Sequence, residues 1–420
     1  MSLLDARSSS SGGNPALMAT YRPPVVRRVE WLNPLALLAL AVVAVLFIKS
    51  AQSYTHGTQW HQQIVWLAVG AAIYVVIASL DYHFWMKNAH WVYLGSLLLL
   101  VLVITPLGQT HNSGARRWLG IGPFSIQPSE FAKIGTLIMV ASVLGRSELG
   151  TIRDSLAMLG KVALVVLVPI VLIFLQPDLG SSLVFFPMVF AQLYVSNLSV
   201  RFFVTVFGLF LLAVTILGVD ISQYRQFLQS HADQTPQELR GQYEKHSWLP
   251  LKDYQRERVV SFIAPEVVDP QGIGVTWQER QSLIAVGSGG WTGKGYQNGT
   301  QARLGYLPAK PATNDFIMAV FLEETGFVGG IAVLGLYAIL LGNTLRIAGL
   351  ARDRFGQLLC VGIVAILIVH VFVNIGMVQG LMPVKGIPLP LMSYGGSFVL
   401  ACGVLFGLAQ SVYRYRREAV

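Results

Sequence analysis

Ten stretches of roughly twenty apolar residues recur along this chain, near 33–52, 61–80, 89–107, 127–145, 155–176, 179–197, 200–220, 323–345, 356–379 and 396–413. Nothing else in the sequence constrains its folding as much. A bilayer core about 30 Å thick is crossed by roughly 20 helical residues, so ten blocks predict ten crossings. In hydrocarbon every backbone N–H and C=O must be satisfied within the protein, and blocks of this length meet that demand as helices. The sequence therefore reads as an all-α polytopic membrane protein with about ten transmembrane helices. Composition agrees. Of 420 residues 54% are hydrophobic and 12% charged, and the mean hydropathy of +0.57 exceeds what a water-soluble domain carries.

The spacing of the blocks divides the chain. Residues 1–30 form a basic tail expected to be disordered; SSSSGG and RPPVVRR give it no apolar core of a secretory signal. Residues 31–220 hold helices one to seven, 221–314 a large loop, 315–413 helices eight to ten, and 414–420 a short tail. An even number of crossings puts both tails on one side. Arg27, Arg28, Lys87, Arg146, Arg201, Arg346, Arg352 and Arg414 fall on that side, which the Lys/Arg rule makes cytoplasmic. The large loop is then extracytoplasmic. Its first half is charged and rich in Gln, with spaced apolar residues, as in amphipathic helices at an interface; its second half reads as Gly-rich turns. Lys49, Arg116, Arg117 and Lys385 break the charge rule by lying on the outer side.

Other function classes recede. The net charge of +9 is scattered along membrane borders, a pattern for lipid head groups and not for nucleic acid. Cys360 and Cys402 both lie in apolar blocks, which argues against a disulfide, and no zinc-like spacing exists. His370, inside a helix, reads as a packed or hydrogen-bonded residue. Ionisable groups at membrane depth are expensive and usually face a polar cavity. Glu130 and Lys133 lie three residues apart on one helical face in QPSEFAKI, Asp178 follows in QPDLG, and Glu323 and Glu324 open the eighth block. Their shared depth predicts a common outward cavity, with a structural ion-pair network as the alternative. AVGSGGWTGKG matches neither a P-loop nor a Gly-x-Gly-x-x-Gly register, although Lys294 within it could meet a phosphate of another kind. Asp269 stands in VVDPQGIG where the large loop changes character, and LMPVKGIPLPLMSYGGSF (381–398) supplies irregular backbone at membrane depth.

MPVKGIPLPLMSYGGS closely resembles the signature of the shape, elongation, division and sporulation (SEDS) family, whose members include RodA, FtsW and SpoVE. GARRWLGIGPFSIQPSEFAKI (114–134), QPDLGSSLV (176–184), DPQGIG (269–274), QSLIAVGSGGWTGKG (281–295) and NDFIMAVFLEETGFVGG (314–330) agree with it in order. The resemblance implies a peptidoglycan glycosyltransferase of the bacterial cytoplasmic membrane that polymerises lipid II, a disaccharide-peptide on undecaprenyl pyrophosphate. It makes Asp269 the candidate catalytic residue, a general base for the attacking sugar hydroxyl. Lys133, Arg116, Arg117 and Lys385 are then expected to hold the departing pyrophosphate, with Glu130, Asp178, Lys294, Glu324 and Ser393 completing the substrate-binding set. A divalent cation (Mg or Mn) could share that task, although the sequence shows no definite ligand set. The implied protein partner is a class B penicillin-binding protein, a transpeptidase, received on the apolar faces of helices eight and nine.

Three departures stand out. VTWQER lengthens the spacing between DPQGIG and Gln281; Thr313-Asn314-Asp315-Phe316-Ile317 replaces the familiar His-Thr-Asp-Phe-Ile; and SYGGSF ends in Phe398. Lys385 is FtsW-like, whereas QPDLGSS and GSGGWTGKG are RodA-like, which favours elongation over a division (septal) role. A flippase for the lipid-linked precursor and a scaffold for another synthase are the competing classes.

Overall fold

The computed structural model describes residues 29–416 except 111–115, 122–123, 148–151, 232–233, 235, 237, 275 and 385. Each apolar block is helical. The first seven blocks give α1 (Leu32–Ala51), α2 (Gln59–Ser79), the short α3 (Tyr82–Lys87) and α4 (Ala89–Ile104), then α5 (Pro128–Gly145), α6 (Ile152–Phe174), α7 (Leu179–Leu183) with α8 (Phe185–Val195), and α9 (Val200–Ser230). The large loop contributes α10 (Asp253–Ile263), α11 (Pro265–Val268), α12 (Trp277–Gly289), α13 (Thr300–Arg303) and α14 (Ala309–Thr313). The last three blocks are α15 (Ile317–Gly349), α16 (Arg354–Val378) and α17 (Gly396–Arg414). Among the described residues seven helices are long and apolar enough to cross a membrane, and α4 and the α7–α8 segment are shorter apolar helices. The chain is a multi-pass helical membrane protein.

The helical reading acquires one addition. Between α4 and α5 the strands β1 (Gly108–Thr110), β2 (Arg116–Ile121) and β3 (Phe124–Ile126) form an antiparallel sheet in the order β1-β2-β3. Gly108 faces Leu119, and Leu119 faces Ile126. A connection at the membrane edge has few helical partners for its backbone, and pairing with itself satisfies those groups.

The core runs through α5, α16 and α17. Helix α16 packs on α5, α8, α15 and α17, and α17 lies along α2. Helix α9 behaves differently. None of its residues from 200 to 219 is buried, and its membrane half meets the bundle near its start, where Phe203 packs on Phe190 and Tyr194 of α8. Beyond Asp220 it gains partners: Ile221, Tyr224 and Leu228 join Leu239, Tyr243, Val260, Ala264 and Val268 in a second apolar core. Fully buried Arg256 fastens that unit, reaching Asp220 at 2.7 Å and Asp253 at 3.4 Å. This packing explains why α9 runs to Ser230 and does not end with its apolar block near 220.

The Gly-rich half of the loop also differs from a run of turns, since α12 occupies residues 277–289 and packs on α15 and α16. The glycines that follow have a specific task. Helix α15 breaks at Gly326, where φ is 67° and ψ −164°. The turn after α12 fits into the break: Lys294 N–H and Gly295 N–H donate to the Glu323 and Glu324 carbonyls, both at 3.0 Å, while Phe327 N–H and Val328 N–H donate to Gly290 O and Trp291 O at 2.9 and 3.1 Å. Backbone groups freed by the break are thus re-satisfied by the loop. A Cβ on Gly293 would overlap the Glu324 carbonyl, so two backbones can approach this closely only where that side chain is absent.

Candidate active site

Asp269 ends α11, and the chain after it folds back over its carboxylate. Its N–H donates to Pro265 O at 2.8 Å, closing the short helix, and its carbonyl accepts from Gly272 N–H at 3.0 Å, forming the Asp-Pro-Gln-Gly turn. At Oδ1 the carboxylate accepts from Ile273 N–H at 3.2 Å. At Oδ2 it accepts from Gly274 N–H at 2.9 Å, Thr276 N–H at 3.1 Å and the Thr276 hydroxyl at 2.7 Å. A Cβ on Gly274 would stand 3.3 Å from Oδ2; glycine there lets the backbone lie against the anion. Burial raises the carboxyl's affinity for a proton, but the bonds from Thr276, Gly274 and Gly272 outweigh it and hold Asp269 below the ordinary carboxylate range. The group is therefore anionic at neutral pH. A cleft of about 650 Å³ opens beside it, between Leu228 and Gln229 of α9 and residues 266–271.

A second cluster lies in the bundle. The i,i+3 spacing in the first turns of α5 puts Glu130 and Lys133 on one face, with Lys133 Nζ 2.8 Å from Glu130 Oε2 and the two side chains 2% and 3% exposed for Lys133 and Glu130. Lys133 Nζ also lies 2.9 Å from His370 Nε2. The other imidazole nitrogen is 3.0 Å from Pro388 O, which can only accept, so Nδ1 carries the proton and Nε2 accepts from the ammonium. The Phe398 ring stacks on this imidazole at 4.3 Å. Asp178 caps α7 and joins the cluster through Gln127, whose Nε2 donates to Asp178 Oδ2 at 3.1 Å.

The remaining expected residues lie elsewhere. Glu324 accepts from the Ser50 hydroxyl at 2.5 Å and Gln297 N–H at 3.0 Å, and Lys294 meets Glu323 at 2.6 Å. These contacts hold the Gly-rich turn onto α15 and α1. The acidic and basic groups expected in one cavity thus form two clusters, because α5 and the start of α15 each find polar partners in their own surroundings. Ser393 is a turn staple, accepting from Leu389 N–H at 2.8 Å and donating to Asn314 O at 2.6 Å. On β2, Arg116 is exposed, whereas Arg117 donates to Gln176 O at 3.0 Å and to Pro177 O. Lys385 lies outside the described residues. Among the described residues no three His, Cys, Asp or Glu side chains converge as a metal ligand set.

Sequence reasoning missed two groups around these anions. Thr276 sits in the lengthened VTWQER segment, where the motif register gave no guide. Gln127 directly precedes α5, and its polar side chain at membrane depth was the available signal.

Comparison with known proteins follows the whole bundle. The family model for the cell cycle proteins FtsW, RodA and SpoVE matches residues 30–418. The chain is 37% identical over 383 residues to peptidoglycan glycosyltransferase MrdB of Escherichia coli strain K12, covering 91% of this chain and 93% of that one. It is 32% identical over 429 residues to peptidoglycan glycosyltransferase RodA of Treponema pallidum strain Nichols, covering 91% and 97% of the two. A chain solved in a study of how a peptidoglycan synthase complex coordinates polymerization and crosslinking has a TM-score of 0.72 and 29% identity, with 93% of this chain and 99% of that one covered.

Proposed function

This chain belongs to the FtsW, RodA and SpoVE family and is a peptidoglycan glycosyltransferase, and from that premise we propose that it polymerises lipid II during cell-wall elongation with Asp269 as general base. The observation that supports the catalytic assignment is the state of that carboxylate: anionic, fixed by neutral donors, and set against a cleft of about 650 Å³. The termini lie in the cytoplasm of a bacterium and α10–α14 outside its inner membrane, where the lipid-linked substrate is presented. A hydroxyl of the acceptor sugar attacks the anomeric carbon of the donor. As the new C–O bond forms, its proton passes to Asp269, and the bond to pyrophosphate breaks with its electron pair leaving on the phosphate oxygen. Base assistance of this kind is worth roughly 10²–10⁴-fold.

The departing pyrophosphate needs positive charge. Of the described cations expected from the sequence, Arg116 is the exposed one, since Lys133 is held by Glu130 and His370, Lys294 by Glu323, and Arg117 by two carbonyls. The partner is a class B penicillin-binding protein. Phe327, Val328, Ile331 and Leu334 of α15, all exposed, recur at helical spacing and offer its transmembrane helix an apolar face.

Purified protein, lipid II and a partner lacking any glycosyltransferase activity of its own test the reading. Glycan polymer should form with wild type and be lost with Asp269→Asn; undiminished polymer from the folded, partner-bound variant rejects Asp269 as base. A flippase reading would draw on the unburied membrane half of α9. Movement of labelled lipid II across vesicles at the protein-free rate counts against it.

A further inference from the structure

The two oxygens of Asp269 are held unequally. Oδ2 accepts three hydrogen bonds at 2.7–3.1 Å, two of them from Thr276, whereas Oδ1 accepts one, from Ile273 N–H at 3.2 Å. Thr276 is itself rigidly placed. It is 3% exposed, it is the N-cap of α12, and its carbonyl accepts Arg280 N–H at 3.0 Å in the first turn. The next residue, Trp277, is pinned through Nε1 to Tyr306 O at 2.9 Å, and α12 packs on α15 and α16. The carboxylate is thereby tied to the bundle through one side chain.

We propose that Thr276 is a positioning residue for catalysis: by saturating Oδ2 it fixes the carboxylate plane and leaves Oδ1 as the oxygen that receives the acceptor's proton. This rests on the reading of Asp269 as general base and names how that base is aimed. Charge does not compete with the arrangement. The charged groups of the adjoining elements are Glu266 on α11, Arg280, whose guanidinium lies against Gly272, and Glu279, which lies near Gly380, with Asp220 and Arg225 on α9 and Asp253, Arg256, Glu257 and Arg258 on α10; Arg256 pairs with Asp220 and Asp253, Glu257 pairs with Arg240, and α9 brings Leu228 and Gln229 to the cleft. Among the described residues no ion pair reaches Asp269. Neutral hydrogen bonds therefore govern its proton affinity, and the Thr276 hydroxyl makes the shortest of them. Thr276 lies in the VTWQER segment between DPQGIG and Gln281.

The test is the pH dependence of kcat/KM for lipid II polymerisation, measured on the full-length chain with its partner for wild type, Thr276→Val, Thr276→Ser and Asp269→Asn. Removing the hydroxyl in Thr276→Val should move the acid limb upward by roughly one pH unit, the scale of one hydrogen bond to a charged group. Thr276→Ser should keep the wild-type limb. A Thr276→Val profile that is lower at every pH with an unmoved limb overturns the proposal while Asp269→Asn remains inactive. Full activity in Asp269→Asn instead rejects the base reading and the proposal with it. Should Thr276→Val fail to fold in detergent, Thr276→Ala is read in the same way.

Discussion

Glu130 and Asp269 are both buried carboxylates, and the protein stabilises them by opposite means. Glu130 lies in the membrane bundle, and its charge is met by a charge, the Lys133 ammonium at 2.8 Å. Asp269 lies in the loop layer and is met by four neutral donors. In a low-dielectric interior isolated charge is costly enough that a counter-ion is needed, and Lys133 supplies it. At the edge of a cleft, dipoles suffice, and they can be distributed so that one oxygen stays available. The contrast separates a group that holds the fold from a group suited to chemistry, although both began as acidic residues in conspicuous motifs.

The sharpest way to break the comparison is to remove the ammonium. Lys133→Met leaves Glu130 buried beside His370 without its counter-charge, and losing one partner of a buried pair costs about 3–5 kcal/mol. Thermal unfolding in detergent should show a large loss, and Glu130→Gln with Lys133→Met should recover most of it. A single variant as stable as wild type would mean that water reaches the pair, and Lys133 would return as a pyrophosphate contact.

A smaller effect is expected where the loop meets the bundle. Gly293 has a φ of 76° and no room for a Cβ against the Glu324 carbonyl. Gly293→Ala should cost about 1–3 kcal/mol in backbone strain, and more if the turn leaves the break in α15. Gly287, exposed in α12 with no atom within 4 Å of an added Cβ, is the matched control: Gly287→Ala should be neutral or stabilise by up to about 1 kcal/mol. Equal losses at both positions would show that the turn is not seated in α15, and limited proteolysis within 290–300 reads the same event directly.

What the sequence disclosed follows from how far each signal reaches along the chain. The spans were legible because twenty apolar residues are a local and sufficient statement about a bilayer. The shared face of Glu130 and Lys133 was legible because i,i+3 is local too. His370, 237 residues from Lys133, could be read as a hydrogen-bonded residue but not assigned its partner. The glycines of GSGGWTGKG announced tight backbone, yet their reason is a break at Gly326 that no propensity marks, since a glycine in a membrane helix is ordinary. Asp269 was legible through its motif. Its donor Thr276 was not, because the inserted residues remove the register by which a motif assigns neighbours. The exposure of α9 over residues 200–219 was equally hidden, as its apolar composition suits contact with lipid or with protein.

The smallest expected effect concerns acid. Because Asp269 holds its carboxyl below the ordinary range in the folded chain, folding of the loop layer gains stability from it that is complete above the unfolded value, roughly pH 3.9. That contribution declines as pH falls through the lower folded value, since the unfolded chain then binds the proton more readily than the folded one. Cleavage of the segment 264–277 by an acid-stable protease should therefore accelerate as pH falls below about 4 in wild type, by more than in Asp269→Asn, whose amide has no proton to gain. Thr276→Val should accelerate less over that range, because without the hydroxyl that favours the anion the folded and unfolded proton affinities lie closer together. Glu130 supplies the counter-case. If the bundle clusters and the loop turn lost protection together over the same pH range, the division between a charge-paired anion and a dipole-held one would fail. If the turn opens first and alone, the two carboxylates are independent, and the one with the weaker hold is the one that faces the cleft.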